Sequence, residues 1–464
     1  MMQSLLDRVL PASLYRSDTA HAALRQLDVE LRGLSRCNDA IDRLQSAKDP
    51  LFRLLRRRFD EPSSQALALK VLNIFLAKTQ FRARHSHLAA NPVGLVVDPS
   101  NVCQLGCPGC VHSSSPGASE RFVWPNGTLA EPRFLGLMER YGPTAVAVYF
   151  CDYGEPLLNR NTPALVRIAK SFRMQAMLST SLSVRRLDAE AIVDSGLDFM
   201  VLSIDGVTQA VYERFRRGGQ LDLVFENIRR LVEARRRMGR VTPVLSWNFL
   251  AFRHNVHEIP EALRMARRLG VDQFRVVEPF DVSWDDPAIQ PAEVKPRVVH
   301  LTWTPLRIPR GIQGDTPCSL DAERIRRAYE EPWERPRMQE AAAQSDHACH
   351  WLYKNLVMDA TGRVMPCCAA PSPANQLVYA QFNSATDDPF NSPRHRQARS
   401  LFAGPSDRGG THSTAQSIGS DLPCANCEWD QTKVNIGSRE IDRYFRQTDP
   451  ILFDKRTRHL LSRW

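Results

Sequence analysis

The N-terminal fifth of the chain carries apolar side chains at helical spacing. In AALRQLDVELRGL, LFRLLRRRF and QALALKVLNIFLAKTQF, apolar residues recur every three or four positions, a period that places them on one face of a helix. The pattern predicts an N-terminal helical extension over residues 1–92.

From residue 93 the pattern changes to short β-rich runs that alternate with helical stretches. The runs are GLVVDPS, AVAVYF, QAMLST, FMVLSID, VLSWNFL and QFRVVEP, and candidate helices such as 223–238 and 259–269 separate them. Because parallel strands need a crossover helix, residues 93–285 predict a parallel sheet. Periodicity leaves open whether this sheet is doubly wound or curled into a barrel. In both cases ligands bind at the carboxyl ends of the strands.

The rest of the chain divides into three segments. Residues 286–345 are rich in proline and charge and predict a linker with a helix. Residues 346–432 form a cysteine-bearing region with a loop-like stretch inside it, and residues 433–464 are basic and amphipathic, which predicts a C-terminal helix.

Charge and hydropathy constrain the partners and the location of the protein. The net charge is +10, and residues 1–92 contain 15 Lys and Arg against 9 Asp and Glu. A basic surface attracts phosphates, which is consistent with a nucleic-acid partner; a solvated basic helix face is the alternative. No apolar run of about 18 residues occurs, and the N-terminus lacks the pattern of a secretory signal. We therefore expect a cytoplasmic protein without a membrane span.

The first cysteine group follows the first predicted strand. Cys103, Cys107 and Cys110 lie in NVCQLGCPGC, a C-x3-C-x2-C arrangement. Three thiolates on one tight loop can hold three irons of a [4Fe-4S] cluster and leave the fourth iron without a protein ligand. A zinc loop and three buried thiols without metal are the alternatives, although structural zinc sites usually have four ligands in two C-x2-C pairs.

This triad resembles the hallmark of the radical S-adenosylmethionine superfamily. The resemblance implies an α/β fold, a partial (β/α)6 TIM-like barrel whose first strand precedes the three cysteines. It also implies that the open iron binds S-adenosylmethionine. Electron transfer then cleaves this cofactor to methionine and a 5′-deoxyadenosyl radical, which abstracts hydrogen from a substrate. The residue before the third cysteine is often aromatic in the family and is Gly109 in this chain.

The resemblance assigns further residues to S-adenosylmethionine. YFCDYGEP matches the Gly-Glu motif of the family, so Gly154 and Glu155 would meet the amino group of the cofactor. Ser181 follows the third strand, where relatives carry a polar turn. The alternative for Glu155 is an acidic residue at the start of a helix, and the alternative for Ser181 is a turn without a ligand.

Three more candidates follow the fourth strand. In LSIDG, Ser203 and Asp205 would hydrogen-bond the ribose or methionine part of the cofactor, and Arg216 in YERFRRGG resembles the arginine that relatives use against its carboxylate. A surface helix charge is the alternative for the arginine. Cys151, directly after the second strand, is expected to be a small core residue.

A second cysteine group occupies the region 346–432. LVMDATGRVMP predicts a β-hairpin that brings Cys349 toward Cys367, and PCANC supplies Cys424 and Cys427. Four thiolates would complete a closed site. We expect iron and sulfide there, with zinc as the alternative. Either Cys367 or its neighbour Cys368 could be the ligand.

This group resembles the SPASM and twitch auxiliary-cluster domains of radical S-adenosylmethionine enzymes. No cysteine follows the C-x2-C pair, so we expect one auxiliary [4Fe-4S] cluster beside the catalytic one. The resemblance implies an oxidoreductase that abstracts hydrogen from a peptide or a carbohydrate-like small molecule, for oxidation or C–H functionalisation, with a reducing partner such as flavodoxin or ferredoxin. An RNA-modifying radical enzyme and a non-catalytic iron–sulfur electron carrier are the alternatives.

Overall fold

The computed structural model describes the central part of the chain and several shorter pieces. The described residues are 73, 77, 80–81, 84–113, 125–172, 174–279, 289–292, 294, 297–301, 349–368, 377–402, 422 and 424. The predicted C-terminal helix, most of the predicted linker and most of the N-terminal extension lie outside these residues. Within the extension, Asn73, Ala77, Gln80 and Phe81 are helical, as the pattern predicts, whereas residues 84–92 form turns and irregular backbone, so the prediction of helix up to residue 92 is wrong for that part.

Six parallel strands in chain order form the centre of the described structure. They are β1 (Gly94–Val97), β2 (Ala147–Phe150), β3 (Gln175–Thr180), β4 (Phe199–Ser203), β5 (Val244–Leu250) and β6 (Gln273–Val277). Strands such as β4 are apolar and buried along nearly their whole length, as strands covered on both faces are. The predicted parallel sheet is therefore confirmed, and its order is consistent with a partial TIM-like barrel.

Helices connect the successive parallel strands. They are α1 (Glu131–Tyr141), α2 (Thr162–Ser171), α3 (Ala189–Asp194), α4 (Gln209–Phe215), α5 (Leu221–Arg237) and α6 (Ile259–Arg268). In α5, apolar residues three or four apart face the sheet, while arginines near the C-terminal end suit the negative end of the helix dipole. Thr208 caps α4 by accepting a hydrogen bond from the Val211 amide.

Four further strands extend both edges of the same sheet. At one edge, β7 (Arg297–His300) pairs antiparallel with β6. At the other edge, β8 (Asn355–Met358) pairs parallel with β1, β9 (Arg363–Met365) pairs antiparallel with β8, and β10 (Ala380–Gln381) pairs with β9. The described strands thus form one ten-stranded sheet.

The predicted hairpin in the cysteine-bearing region is confirmed as β8 and β9. Gly362 lies in its turn with φ of 91°, a conformation that side chains rarely adopt. The sequence does not predict that β8 adds to β1 in the register Gly94↔Asn355 to Val97↔Met358. This pairing brings the second cysteine group next to β1, the strand that precedes the first cysteine group.

A buried arginine joins the elements behind the hairpin. Arg399, in α8 (Pro393–Ser400), donates to the carbonyls of Leu352 at 2.8 Å, of Phe390 at 2.6 Å and of Ser86 at 3.2 Å. Leu352 belongs to α7 (His350–Lys354), which leads directly into β8. Burial lowers the pKa of Arg399 to about 9, and the three carbonyl acceptors offset part of that desolvation.

Candidate active site

Backbone hydrogen bonds hold the cysteine loop that follows β1 against loops of neighbouring strands. The amide of Glu155, after β2, donates to the carbonyl of Val102 at 2.8 Å, and the amide of Gly106 donates to the carbonyl of Arg217, after β4, at 3.0 Å. The loop therefore lies across the carboxyl ends of the strands, where ligands bind in this class of sheet.

The three thiols of this loop face a common apolar cluster. Cys107 is buried with Leu105, Phe215 and other apolar residues, and the half-buried Cys103 and Cys110 pack against the same cluster. Burial raises the pKa of Cys103 to about 12 and that of Cys107 to about 11, and it also raises the pKa of Cys110.

Thiols in such surroundings stay protonated unless a positive charge binds them. Iron supplies that charge, so the triad fits a metal cluster better than a set of reactive cysteines. Among the described residues, no three His, Cys, Asp or Glu side chains are grouped to hold a single metal ion. The thiolates of a [4Fe-4S] cluster bind separate irons, so they stand further apart than the ligands of one ion.

Glu155 and Ser181, two predicted site residues, contact each other. The Glu155 carboxylate accepts hydrogen bonds from the Thr180 hydroxyl at 2.6 Å, the Ser181 hydroxyl at 2.6 Å and the Ser181 amide at 2.9 Å. Glu155 is only 2% exposed. The end of β3 thus fixes the orientation of the carboxylate before any ligand binds.

Gly154 permits the close approach of the loops after β1 and β2. A Cβ at this position would lie 1.8 Å from the Ser100 carbonyl oxygen, a distance that no side chain tolerates. The amides of Tyr153 and Gly154 also donate to the buried Asp98 carboxylate, at 3.2 and 3.4 Å. The contact of Gly154 with the amino group of S-adenosylmethionine stays a prediction.

Asp205 and Arg216, predicted separately, form a buried ion pair beside the triad. The Arg216 Nε donates to Asp205 Oδ2 at 2.6 Å, and its Nη1 lies 3.9 Å from Cys107 Sγ. Burial acts to lower the pKa of Arg216, but Asp205, Cys107 and Tyr212 together raise it above its ordinary value. Arg216 is therefore a fixed cation at the cysteine loop and not a surface charge.

Ser203 stands apart from the other predicted residues. It is the last residue of β4 and pairs in register with Asn248 of β5. Within the described part of the chain, no hydrogen bond joins its hydroxyl to another predicted site residue. Its predicted contact with the cofactor stays a prediction.

Sequence reasoning missed Gln104, which connects the cysteine loop to the end of β3. Its Nε2 donates to the Ser183 carbonyl at 2.9 Å and lies 3.4 Å from the Ser181 hydroxyl. The only available signal was a polar side chain directly after Cys103. A pairing with a loop almost 80 positions away leaves no local pattern, so the sequence could not indicate this contact.

The second cysteine group lies at the end of the hairpin, as far as the structure describes it. Cys349 is buried directly before α7, and Cys367 and Cys368 are half-buried after β9. Cys424 Sγ lies 3.4 Å from the Tyr379 hydroxyl. Cys427 lies outside the described residues.

Cys367 and Cys368 have different surroundings. Burial raises the pKa of Tyr379, and Cys424 and Cys367 both raise it further. Burial also raises the pKa of Cys368, and the negative charge of Asp152, on the loop after β2, raises it further. Cys367 therefore shares the neighbour Tyr379 with Cys424, while both Cys367 and Cys368 also act on Tyr153, on the loop after β2. Tyr379 was not singled out by the sequence.

Cys151 has the surroundings of a core residue. It is half-buried and packs against the hydrophobic core, as predicted. Burial raises the pKa of its thiol well above the ordinary value, and the acidic neighbours Asp152 and Asp98 contribute in the same direction. Its thiol therefore stays protonated.

Comparison with known proteins supports the same interpretation. Residues 97–248 match the family model of the Radical SAM superfamily. That range contains the triad, the Gly-Glu motif and the Asp205–Arg216 pair. Residues 97–248 therefore carry a radical S-adenosylmethionine domain, and the match supports an enzyme that uses S-adenosylmethionine and an iron–sulfur cluster.

Two curated relatives act on different substrates, according to their names. The PqqA peptide cyclase of Gluconobacter oxydans (strain 621H) is 28% identical over 198 residues, which are 42% of this chain and 52% of that protein. A probable GTP 3′,8-cyclase of Methanocaldococcus jannaschii is 24% identical over 179 residues, which are 38% of this chain and 55% of that protein. The chain thus spans about half the length of these relatives.

Among solved structures, SuiB of Streptococcus suis bound to S-adenosylmethionine is similar at a TM-score of 0.47 and 16% identity, covering 78% of this chain and 81% of SuiB. The structure titled native anSMEcpe with bound AdoMet and Cp18Cys peptide is similar at a TM-score of 0.41 and 10% identity, covering 80% of this chain and 99% of that one. Among the described helices, none has both the length and the apolar character that a bilayer crossing requires.

Proposed function

We propose that this protein is an enzyme that cleaves S-adenosylmethionine reductively and abstracts a hydrogen atom from a peptide substrate. The observation that carries the proposal is the Cys103, Cys107 and Cys110 loop at the carboxyl end of β1, inside the segment that matches the superfamily. When bound, a [4Fe-4S] cluster with an open iron supplies the electron that converts S-adenosylmethionine to methionine and a 5′-deoxyadenosyl radical.

The residues around the loop have distinct tasks in this proposal. The three thiolates hold the cluster. Glu155, oriented by Thr180 and Ser181, accepts hydrogen bonds from the amino group of S-adenosylmethionine, because a fixed carboxylate binds an ammonium group at little cost in reorganisation. These assignments agree with the resemblance and with the contacts of the carboxylate.

The second cysteine group holds one auxiliary cluster in this proposal. Cys349, Cys367, Cys424 and Cys427 are the ligands, and the shared surroundings of Cys367 and Cys424 favour Cys367 over Cys368. Four thiolates leave no open iron, so such a cluster would serve electron transfer and would not bind substrate. The arrangement suits a net oxidation of the substrate in which S-adenosylmethionine is the overall oxidant. The auxiliary cluster would accept the electron that the substrate radical loses, and a flavodoxin or ferredoxin would supply the electron for cofactor cleavage.

The peptide substrate rests on the PqqA peptide cyclase, whose similarity to this chain extends over more residues than that of the GTP cyclase. A nucleotide is the second candidate, because probable GTP 3′,8-cyclases are also similar to this chain. The substrate class therefore needs an experiment that separates peptides, nucleotides and RNA.

The first experiment tests the radical chemistry. The full chain is purified without oxygen, reconstituted with iron and sulfide, and incubated with dithionite and S-adenosylmethionine while 5′-deoxyadenosine is followed by mass spectrometry. We expect 5′-deoxyadenosine from the wild type and none from the triple variant with Ala at 103, 107 and 110, which should also hold about four irons fewer. Cys151→Ala is the matched control and should retain both.

The outcome that contradicts the proposal is a wild-type protein that binds zinc instead of iron and forms no 5′-deoxyadenosine. The chain would then be a metal-stabilised binding protein.

The second experiment tests the substrate class. Low-molecular-mass and RNA fractions of the host cell are added to the active enzyme, with and without prior treatment by protease or ribonuclease, and GTP is added separately. We expect stimulated 5′-deoxyadenosine formation that protease treatment abolishes. Stimulation by GTP or loss of stimulation with ribonuclease would replace the peptide by a nucleotide or an RNA.

A further inference from the structure

Arg216 occupies a fixed position between an acidic side chain and the cysteine loop. It directly follows α4, and its amide donates to the Tyr212 carbonyl at 2.9 Å. Its guanidinium carbon lies 4.9 Å from the centre of the Phe215 ring. Only 14% of its side chain is exposed, so the packing leaves it little freedom.

Asp205 holds this guanidinium in place. Its Oδ2 accepts from Arg216 at 2.6 Å, while its Oδ1 accepts from the Leu250 amide at 2.7 Å. The Asp205 carbonyl in turn accepts from the Asn255 side chain at 2.9 Å. Both oxygens of the carboxylate therefore accept hydrogen bonds, and the carboxylate is fully buried.

A second nitrogen of the guanidinium, Nη1, is directed at the triad. Arg216 Nη1 lies 3.9 Å from Cys107 Sγ, within the range of an N–H···S hydrogen bond. By contrast, Cys103 Sγ accepts from the uncharged Leu105 amide at 3.5 Å. Cys107 thus has a fixed full positive charge beside its sulfur.

We propose that Arg216 is a positioning residue that donates a charge-assisted hydrogen bond to the Cys107 sulfur and thereby raises the reduction potential of the catalytic cluster. Hydrogen bonds to the sulfurs and local charge are among the factors that set cluster potentials. The reduced cluster carries one more negative charge than the oxidised cluster, so a neighbouring cation stabilises the reduced form more. The inference rests on the proposed function, because it requires a cluster at the triad.

This role differs from the one that the resemblance gives to Arg216. Its Nε is bonded to Asp205 and its Nη1 is directed at Cys107, so two of its three nitrogens already have partners within the chain. If Arg216 only neutralised Asp205, removal of both charges in a double variant would leave the cluster potential unchanged. The potential of the double variant therefore separates pairing with Asp205 from a direct effect on the cluster.

The test is a potentiometric titration of the reconstituted full chain, followed by electron paramagnetic resonance. The signal of the catalytic cluster is the one absent from the triple variant with Ala at 103, 107 and 110. In Arg216→Gln we expect the equilibrium constant for reduction of the catalytic cluster to fall at least tenfold. For a one-electron couple this is a shift of about 59 mV toward negative potential.

Arg214→Gln is the matched control, because it removes the same charge from an exposed position of α4. Solvent screens exposed charges strongly, so its shift should stay below tenfold. Arg216→Lys retains the charge but cannot contact Asp205 and Cys107 together, so its shift should be smaller than that of Arg216→Gln.

A double variant guards against misfolding. Arg216→Gln alone leaves the Asp205 carboxylate buried without its cation, which is costly; Asp205→Asn combined with Arg216→Gln removes both charges. Arg216 Nη1 lies 3.9 Å from Cys107 Sγ, whereas Asp205 contacts Nε, so the double variant should shift in the same direction by less.

Two results would overturn the inference. If the double variant moves the potential no further than Arg214→Gln while the triad-dependent signal is present, Arg216 does not tune the cluster directly, and the proposed function is unaffected. If the wild type shows no triad-dependent signal, the inference falls together with the proposed function.

Discussion

Individual side chains at the strand ends are already held in one orientation. The Glu155 carboxylate receives hydrogen bonds from two hydroxyls and two amides, since the Leu157 amide also donates to it, at 3.2 Å. These donors hold the carboxylate in one orientation in a buried position, where the low dielectric strengthens its attraction to an ammonium group.

Glu155→Gln should weaken the binding of S-adenosylmethionine. Loss of a charged hydrogen-bond acceptor costs about 1.5–3 kcal/mol, which corresponds to a fall in affinity of about tenfold to a hundredfold. Isothermal titration of the reconstituted protein measures it. Glu213→Gln, on the exposed side of α4, is the control, and equal affinities of the two variants would refute the assigned contact.

Gly154→Ala should destabilise the protein and displace the cysteine loop. The added Cβ meets the backbone oxygen of Ser100, which cannot rotate away, and overpacking of this kind costs about 1–3 kcal/mol. Gly136→Ala, in the middle of α1, meets nothing closer than 3.7 Å and should be neutral or slightly stabilising. Denaturant unfolding and iron content are measured; similar values for both variants would contradict the close approach.

At the scale of elements, α8 supports the second cysteine group through a short chain of rings. The buried His395 ring packs edge-on against Tyr379 at 5.0 Å, and the Tyr379 hydroxyl lies 3.4 Å from Cys424 Sγ. Ser392, the cap of α8, contacts His395 Nδ1 at 3.0 Å. The helix therefore reaches the cysteines through packing and hydrogen bonds together.

His395 should make the stability of the metal-free protein depend on pH. Burial holds its pKa well below the ordinary value, so below about pH 6.5 the unfolded chain takes up a proton that the folded chain resists. The contribution of His395 to the free energy of unfolding should therefore fall as the pH drops from 7.5 to 5.5. His395→Gln lacks this component, so the advantage of the wild type over the variant should shrink by about 1 kcal/mol.

The measurement is urea unfolding of both proteins at the two pH values. Buried carboxyls such as Asp98, whose pKa burial raises, act in the opposite direction but are common to both proteins. A constant difference between wild type and variant would show that His395 is not kept neutral by the fold.

At the scale of the whole molecule, the hairpin and the barrel strands share one sheet. Main-chain hydrogen bonds run from β1 to β8 over four residues on each strand, and the Asp98 amide continues them to the Met358 carbonyl at 2.9 Å. Elements that share a sheet and a core open together more readily than separate domains.

Amides of β8 should therefore exchange with solvent as slowly as those of β1. Hydrogen–deuterium exchange followed by mass spectrometry compares peptides that cover residues 94–97 and 355–358. Arg399→Met, which removes the contacts behind the hairpin, should speed exchange in both. Fast exchange of β8 beside a protected β1 in the wild type would indicate an independent hairpin.

The sequence predicted those features that depend on local pattern. The alternation of runs and helices gave the parallel sheet, and the glycine turn between two apolar runs gave the hairpin. The pairing of β8 with β1 could not be predicted, because it joins residues about 260 positions apart and depends on which sheet edge is free. For the same reason the sequence predicts Asp205 and Arg216 as separate site residues, while only the fold shows their ion pair and the contact of Arg216 with Cys107.

The β1–β8 pairing also limits how the C-terminal region could be exchanged between proteins. A transplant of that region has to include β8 and needs an acceptor whose first strand offers an open edge. At the first position of that edge, a Cβ on residue 94 would stand 2.5 Å from the Asn355 side-chain oxygen. In a recipient barrel with a side chain there, the Asn355 side chain would have to adopt another rotamer or be replaced by a smaller one, so a glycine at this position favours the exchange.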